Sequence, residues 1–514
     1  MDPHHPHLIS DCLIHTFTFL AEEDLMRASA VCKDWNGAAE SPWLWRRMSL
    51  QRWSFCNIAV LGSEQVNHSW KRYFLRRCHL EMKMTEGKSG GYTCKSLRGH
   101  TGRVVGFAYL KGNSAQHPDI WNCSSTVCSA STDGTVRAWD IHNGEVLWRS
   151  PSQAPLTAMV SDERREVVIT ADSAGLIKTW RAQTGQEVAS FSTGSPHCTL
   201  LQYNIHDDWF LTVGTSQGSV CTLADPALTK KSSVAVCDSF KVNALLVSPD
   251  RKWIAAGTKD SSDLSPKVVY TESLTSPSED EDPLCQSVPV AGCQAAVFIP
   301  SQPARLAVVH HGERTHDKVL SVFDVGVKKT KYKSSIQVQE VATFPLTLNR
   351  WSSHILLEAK DSDRLVLASG PELRVYSLTG ALLASFKEHT MPISSMCVDD
   401  FRVVTASQDL SLRVLTWRSD GGPGSTLESR YHLLGGSHTV SRYRVAVSNK
   451  LPRQCDSLNS FILFIYFLFF YPFALFLFFF SRGFTHVACD YSSIVASAEG
   501  SDGRDVLKAY SFTS

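Results

Sequence analysis

Residues 131–140 read Ser131-Thr132-Asp133-Gly134-Thr135-Val136-Arg137-Ala138-Trp139-Asp140, and they carry the strongest fold signal in the chain. The pair Asp133-Gly134 predicts a tight hairpin turn, because glycine adopts a positive φ without steric cost. After the turn, Val136 and Ala138 alternate with other side chains at the two-residue period of a β-strand. This stretch therefore predicts a strand, a tight turn and a second strand.

The same pattern recurs along the chain, with a large apolar residue at the position of Trp139. We call these positions slot residues; successive ones lie 39–53 residues apart, except for a final interval of 95 residues. A repeat of this length is typical of arrays in which β-sheet blades pack face to face around an axis. The slot residues are Trp139, Trp180, Leu223, Tyr270, Phe323, Tyr376, Leu415 and Tyr510. The series predicts a mainly β fold, an eight-bladed propeller, with seven blades as the alternative.

The unit from Leu97 to Asp140 resembles a WD40 repeat, with Gly99-His100 at its start and the Trp139-Asp140 pair at its end. The resemblance implies a hydrogen-bonded structural tetrad of four side chains, which are His100, Ser129, Asp133 and Trp139. It also implies that the strand from Tyr92 to Leu97 supplies the outer strand of the last blade. That pairing would close the ring and remove an exposed strand edge.

The first fifty residues have apolar positions at helical spacing. Leu13, Phe17 and Leu20 share one helical face, and a second apolar series follows from Leu25 to Trp35. Such a short segment encloses little core, yet it holds three tryptophans. A small helical unit with this much apolar surface usually buries part of it on a partner.

This region resembles an F-box in the order and spacing of Phe17-Thr18-Phe19-Leu20, Val31-Cys32-Lys33-Asp34-Trp35 and Leu44-Trp45-Arg46-Arg47. In that family the motif docks on a Skp-type linker protein, and through it on a cullin–RING ubiquitin ligase. The resemblance implies that the docking residues are Leu8, Ile9, Leu13, Phe17, Leu20, Leu25, Val31, Cys32, Trp35, Leu44 and Trp45.

Three positions depart from the F-box pattern. The usual Leu-Pro opening reads Leu8-Ile9, Cys12 stands where leucine is usual, and Thr16 stands where isoleucine is usual. These departures keep a second interpretation open, in which the chain is a WD-repeat interaction scaffold with a degenerate F-box that does not dock.

The chain is expected to divide into three parts. Residues 1–50 form the F-box, residues 51–91 form a helical linker, and residues 92–514 form the propeller. The linker is expected to contain an amphipathic helix from Glu64 to Glu81, followed by a short flexible joint at Lys88–Tyr92. An insertion at 445–482 interrupts the propeller sequence and is expected to break ring closure.

That insertion contains an unbroken run of 20 apolar or aromatic residues, Phe461–Phe480, of which ten are phenylalanine. The run is long enough to span a membrane. However, a span between the seventh and eighth slot residues would place a bilayer inside the propeller, so we do not expect the chain to associate with a membrane. A loop of unusual composition is a further alternative.

A translated intron explains the insertion better than either alternative. Phenylalanine-rich runs are what a polypyrimidine tract encodes, Ser481-Arg482 can encode the acceptor AG, and Val447-Ser448 can encode a donor-like sequence. Removing residues 445–482 shortens the last slot interval to 57 residues, close to the others. Sequencing the transcript across this region tests the hypothesis, which fails if the dominant mRNA lacks a splice junction there.

Composition bounds the remaining functions. The formal net charge is +1, so no global field attracts nucleic acid or an anionic membrane. The 15 cysteines include no Cys-x-x-Cys pair, which favours a reducing compartment, the cytoplasm or alternatively the nucleus. No motif for a nucleophile, a phosphate loop, a metal or a cofactor is present. The F-box and WD40 resemblances imply a non-catalytic substrate-recognition subunit of a Skp–cullin–F-box (SCF) ubiquitin ligase; the sequence does not identify the client protein.

Overall fold

The computed structural model describes residues 10–53, 66–88, 90–110, 126–162, 167–277, 282–312, 317–329, 334–348, 354–419, 425–434, 483–500 and 503–512. The chain divides into two compact units. The helical unit contains Met1–Tyr92, and the propeller contains Thr93–Leu110 and Ser124–Ser511.

The helical unit has five helices: α1 (Ser10–Phe17), α2 (Glu22–Ala28), α3 (Lys33–Ala39), α4 (Pro42–Arg52) and α5 (Val66–Glu86). Helix α2 begins with three acidic residues, whose charge stabilises the positive end of the helix dipole. Pro42 occupies the first position of α4, where its missing N–H group costs no hydrogen bond.

Helix α5 completes the core of this unit. Trp70, Tyr73 and Phe74 of α5 are buried in the same cluster as the apolar faces of α1 to α4. The rings of Trp45 and Phe74 lie 5.4 Å apart, and the Trp45 Nε1–H group donates to the Ala39 carbonyl at 2.7 Å. A helix is therefore present where one was predicted at Glu64–Glu81, and its side chains pack into the core of the helical unit.

The first four blades of the propeller are four-stranded antiparallel sheets. Blade 1 has β2 (Val104–Leu110), β3 (Thr126–Ser131), β4 (Val136–Asp140) and β5 (Val146–Arg149). Blade 2 has β6 (Leu156–Asp162), β7 (Val167–Asp172), β8 (Leu176–Arg181) and β9 (Glu187–Ser192). Blade 3 has β10 (Thr199–Ile205), β11 (Asp208–Gly214), β12 (Ser219–Asp225) and β13 (Thr229–Ala235). Blade 4 has β14 (Ala244–Val247), β15 (Trp253–Gly257), β16 (Lys267–Tyr270) and β17 (Cys285–Ser287), with the short helix α6 (Thr271–Thr275) before β17.

The other four blades repeat the arrangement. Blade 5 has β18 (Ala295–Phe298), β19 (Arg305–His311), β20 (Lys318–Lys329) and β21 (Ser334–Leu346). Blade 6 has β22 (Ile355–Lys360), β23 (Arg364–Ser369), β24 (Glu372–Ser377) and β25 (Leu382–Phe386). Blade 7 has β26 (Ile393–Val398), β27 (Arg402–Ser407), β28 (Ser411–Ser419) and β29 (Ser425–Leu434). Blade 8 has β30 (Phe484–Asp490), β31 (Ser493–Glu499), β32 (Asp505–Ser511) and, at its outer edge, β1 (Thr93–Leu97).

The ring is closed by the first strand of the chain. Strand β1 pairs antiparallel with β32, from Thr93 opposite Ser511 to Leu97 opposite Leu507. The first strands of the blades contact one another in order around the ring, and β30 contacts β2 to complete it. The prediction of eight blades is confirmed, and the seven-blade alternative is wrong. Every slot residue lies on the third strand of its blade, and all are buried except Tyr270, which is half-buried.

The Phe-rich segment lies outside the described residues. The translated-intron and membrane-anchor hypotheses concern this segment and therefore stay predictions. Its flanks are described: β29 ends at Leu434 in blade 7, and β30 begins at Phe484 in blade 8. The segment therefore joins two blades, and all four strands of blade 8 come from elsewhere in the chain. For this reason the expectation that the insertion breaks ring closure is wrong. Within the described part of the chain, no helix combines the length and apolar character needed to cross a membrane.

Candidate functional site: the helical docking face and the propeller tetrad

Apolar side chains project from the two turns that connect the first three helices. Phe19, after α1, is 77% exposed, and Val31, before α3, is 63% exposed. The rings of Phe17 and Trp35 meet edge to face at 5.4 Å, which brings the end of α1 beside the start of α3. In the sequence, Phe19 lies two residues after Phe17 and Val31 lies four residues before Trp35. We call the group Phe19, Val31, Cys32 and Trp35, for which a docking role is proposed below, the docking face.

The residues predicted to dock fall into four groups. Leu13, Phe17, Leu25, Leu44 and Trp45 are buried in the core of the helical unit. Leu20 and Trp35 are half-buried, and Val31 and Cys32 are exposed. Leu8 and Ile9 lie outside the described residues. A docking role for each residue remains a prediction. The five buried residues pack against other side chains in the core of the helical unit.

Four exposed apolar residues of α1 to α4 and their turns were not among the predicted docking residues: Phe19, Met26, Trp43 and Leu50. Phe19 lies inside the quoted Phe17–Leu20 motif and Trp43 directly precedes the quoted Leu44–Arg47 motif, so both could be noticed in the sequence. Their exposure was not visible, because helical spacing shows which residues are apolar but not which apolar face α5 covers.

A cluster of buried and half-buried side chains fixes the end of α4 against α5. The Trp53 Nε1–H group donates to the Glu81 carboxylate at 2.6 Å, and the Arg77 guanidinium lies 4.3 Å from the centre of the Trp53 ring. Burial raises the pKa of the neighbouring Cys78 thiol to about 11, so this thiol stays protonated at neutral pH. These contacts hold Leu44 and Trp45 in the core that supports the docking face.

In the propeller, the four side chains of the predicted tetrad form one hydrogen-bonded series. The Trp139 Nε1–H group donates to Ser129 Oγ at 2.8 Å, and Ser129 Oγ lies 2.8 Å from His100 Nε2. His100 Nδ1 lies 3.0 Å from Asp133 Oδ2. The series is satisfied throughout if the Ser129 hydroxyl donates to Nε2 and the Nδ1–H group donates to Asp133. It ties the loop before β2, the β3–β4 turn and two strands together.

Blades 2 and 7 contain parts of the same series. In blade 7, His389 contacts Asp409 at 3.1 Å and Thr405 at 2.8 Å, but the slot residue Leu415 offers no donor. In blade 2, the Trp180 Nε1–H group donates to Thr170 Oγ1 at 2.9 Å. Among the described residues, only blade 1 has the tetrad with all four members.

Removing the indole donor is expected to weaken blade 1. Trp139→Phe should lower the free energy of unfolding by about 2 kcal/mol, because it deletes a buried hydrogen bond and part of a fully buried ring. Thermal or urea unfolding of the full chain measures the loss. If Ser129 is the acceptor, adding Ser129→Ala should produce less than the sum of the two single effects. Strictly additive losses would contradict this hydrogen-bond assignment.

The two histidine–aspartate pairs, His100 with Asp133 and His389 with Asp409, predict that the stability of the fold depends on pH. Burial alone would raise the pKa of Asp133, but hydrogen bonds from His100, Thr135 and the Thr101 backbone outweigh it and hold this pKa well below its usual range. The pKa of Asp409 is lowered in the same way. A carboxyl group with a lowered folded-state pKa stabilises the fold above its unfolded pKa of about 4, and this stabilisation is lost as the pH falls towards the folded pKa.

An Asp133→Asn, Asp409→Asn double variant should therefore be less stable than the wild type at pH 7. The difference in unfolding free energy should shrink as the pH is lowered below about 4. Denaturant unfolding of both proteins at pH 7, 5, 4 and 3 measures it. A difference that stays constant down to pH 3 would mean that these carboxylates are not the groups that titrate.

The helical unit and the propeller together define a class of protein: an N-terminal F-box-like module followed by an eight-bladed propeller. A family model described as F-box-like matches residues 10–51. Human F-box/WD repeat-containing protein 12 is 32% identical over 419 residues, covering 81% of this chain and 88% of the relative. Mouse F-box/WD repeat-containing protein 15 is 24% identical over 407 residues, covering 79% and 86%. The chain belongs to the F-box/WD repeat-containing protein family.

A solved structure gives the same fold. The computationally designed Ika8 protein superimposes with a TM-score of 0.52 at 17% identity, covering 80% of this chain and 98% of the designed one. At that identity the likeness concerns the fold alone.

Proposed function

We propose that this chain is a substrate-recognition subunit of an SCF ubiquitin ligase. The helical unit docks on a Skp-type linker protein and through it on a cullin–RING ligase, while the propeller binds a client protein. The observation that carries the proposal is the docking face, where Phe19 and Val31 expose apolar surface inside the region matched by the F-box-like model. Exposed apolar surface of this kind is typical of a protein–protein interface.

The contribution of such a subunit is positional. It makes and breaks no covalent bond; it holds client lysines near a ubiquitin thioester that another protein carries. Holding two reactants together raises the rate by converting an encounter between separate molecules into a step within one assembly. In the described part of the chain no cluster of histidine, cysteine and carboxylate side chains is arranged to bind a metal, and the proposed role requires none.

A second function is favoured by a specific observation. Cys12 and Thr16 are exposed on α1, and the Thr16 hydroxyl donates to the Cys12 carbonyl at 2.8 Å. Both are smaller or more polar than the usual residues, so α1 offers less apolar surface to a linker protein. A scaffold that binds other proteins through the propeller without docking on a ligase is consistent with this surface.

One experiment separates the two functions. The full chain, tagged and expressed in cells, is purified beside a Val31→Asp variant, and the bound proteins are identified by mass spectrometry. The adaptor function predicts that the wild type retains Skp-type, cullin and RING subunits together with client proteins, whereas the variant retains clients only. If both proteins retain the same clients and neither retains ligase subunits, the chain is a scaffold.

We further propose that this activity takes place in the cytoplasm, with the nucleus as the alternative. The proposal rests on the 15 cysteines and their spacing, which favour a reducing environment. Fluorescence microscopy of the tagged full chain tests it, and signal confined to secretory compartments would contradict it.

A further inference from the structure

Two arginines stand directly opposite each other on the two outer strands of blade 1. Arg137 of β4 pairs with Arg149 of β5. Directly opposed residues of an antiparallel pair project from the same face of the sheet, with Cβ atoms about 5 Å apart, and like charges at such positions are destabilising. We call these two residues the arginine pair. It lowers the stability of the fold unless another group neutralises its charge.

The arginine pair faces blade 8, at the seam where β1 closes the ring. Trp139 lies two residues after Arg137 on β4, so the two side chains share one face of the sheet. Trp139 packs with Leu97 of β1 and Leu507 of β32. Arg149 is exposed at the rim of this seam, whereas Arg137 lies deeper and is only 8% exposed.

Neutral groups hold the Arg137 guanidinium in place. Its Nε–H group donates to Thr135 Oγ1 at 3.3 Å, and its central carbon lies 5.9 Å from the centre of the Trp139 ring. Gly99 makes room for it, because a Cβ atom at this position would collide with Arg137 Nη1. These contacts fix the position of the cation and do not neutralise its charge.

In the described part of the chain, neither member of the arginine pair forms an ion pair. The two carboxylate oxygens of Asp133 already take part in four hydrogen bonds, with the loop before β2 and with the β3–β4 turn. Burial lowers the pKa of Arg137, the charge of Arg149 lowers it further, and Asp133 opposes them only in part. The two positive charges therefore lack a matching negative charge.

Blades 2, 6 and 7 also carry a cation two residues before the slot residue, but there it has a carboxylate partner. The ion pairs are Lys178–Glu187 at 2.8 Å in blade 2, Arg374–Glu372 at 2.6 Å in blade 6 and Arg413–Glu388 at 3.5 Å in blade 7. The residue opposite the cation on the fourth strand is a serine in blades 2 and 6, Ser190 and Ser385. Blade 1 has Arg149 at that position, so its second positive charge replaces a neutral side chain.

We propose that the arginine pair binds a phosphate monoester at the seam between blades 8 and 1. A phosphate monoester carries nearly two negative charges at neutral pH, which match the two guanidinium groups, whereas a carboxylate would neutralise only one. Each guanidinium can donate two parallel hydrogen bonds to phosphate oxygens. The exposed Arg149 binds the group at the rim, and the buried Arg137 binds it where water screens the charge less.

The phosphate belongs to a free phosphorylated small molecule or to a phosphorylated side chain of another protein, and its chemistry is the same in both cases. Binding at this seam does not depend on docking to a Skp-type linker protein, since the arginine pair lies in the propeller. The proposal can therefore fail or hold independently of the proposed ligase function.

Isothermal titration of the full chain with two ligands tests the proposal: glycerol 2-phosphate, and a flexible glycine–serine peptide with one phosphoserine. Arg149→Ser, which introduces the residue found in blades 2 and 6, should weaken binding at least about tenfold, because it removes a charged hydrogen-bond donor. Lys231→Ser is the matched control. It removes the same charge from an exposed site on β13, the fourth strand of blade 3, and should leave binding within about twofold.

Binding of glycerol 2-phosphate supports the site and shows that a free monoester is sufficient. Binding of the phosphopeptide alone supports the site and assigns the phosphate to a protein partner. The proposal is overturned if neither ligand binds the wild type, or if the wild type and Arg149→Ser bind both ligands equally.

Thermal unfolding gives a second readout of the same pair. In phosphate-free buffer at low salt, Arg149→Ser should unfold at the same temperature as the wild type or higher, because the substitution removes a repulsion between like charges. Glycerol 2-phosphate should then raise the unfolding temperature of the wild type and of Lys231→Ser more than that of Arg149→Ser. A lower unfolding temperature of Arg149→Ser without ligand would contradict the proposal, since it would show that the protein itself already neutralises Arg149.

Discussion

Val31→Asp is expected to weaken binding of the full chain to a Skp-type linker protein by at least about 30-fold, the equivalent of about 2 kcal/mol. Val31 is 63% exposed in the free chain, between α2 and α3, and lies on the docking face. A carboxylate placed there would lose its hydration in the complex without gaining a partner, and an unpaired buried charge is strongly unfavourable. Isothermal titration of both proteins with purified linker protein measures the change.

The matched control is Met82→Asp, an equivalent change on α5, where Met82 is 50% exposed. It should leave binding within about twofold of the wild type, since isolated surface changes alter stability little. Thermal unfolding should show that both variants keep the wild-type fold. Equal binding by the wild type and Val31→Asp would exclude Val31 from the interface. Leu13→Ala is less informative, because Leu13 is buried and its loss would disturb the core itself.

Arg402→Leu is expected to cause the largest loss of stability, about 3–5 kcal/mol. The Arg402 side chain is almost fully buried and donates to the Asp399 carboxylate at 3.2 Å. It also donates to the Asp490, Tyr491 and Ser493 carbonyls, which belong to blade 8 and the turn between its first two strands. Leucine would leave the Asp399 carboxylate and these carbonyls without their shared donor. Urea unfolding followed by circular dichroism measures the loss.

Arg413→Leu in the same blade is the control. Arg413 forms a partly exposed ion pair with Glu388 at 3.5 Å, and such pairs contribute no more than about 1 kcal/mol. Hydrogen exchange should locate the effect of Arg402→Leu in β26, β27, β30 and β31. Similar losses for both variants, or exchange that rises evenly over all blades, would contradict the role of Arg402 as the connection between blades 7 and 8.

The propeller could be predicted from the sequence because its signals are local. Asp133-Gly134 and Trp139 lie within one repeat, and each slot residue stands at the same place in its own repeat. Even ring closure by β1 followed from the position of Tyr92–Leu97 before the first Gly-His pair. The contacts of Arg402 could not be predicted in this way, because its carbonyl partners lie about 90 residues further along the chain.

The docking face was harder to predict for a physical reason. Leu13, Phe17, Leu25, Leu44 and Trp45 are apolar at helical spacing, and a face buried on a partner has the same spacing as a face buried inside the unit. Only the position of α5, with Trp70, Tyr73 and Phe74 against that face, separates the two cases. The effect of the insertion on ring closure was wrongly predicted for a related reason: the spacing placed the insertion between two slot residues but did not show that it lies between two complete blades.

We propose above all that this chain docks on a Skp-type linker protein through its helical unit. The most direct test is the mass of the assembly formed when the purified full chain is mixed with purified linker protein, measured by light scattering after gel filtration. We predict a single one-to-one complex that is lost in the Val31→Asp variant and kept in Met82→Asp. Separate elution of the wild-type chain and the linker protein, each at its own mass, would contradict the claim.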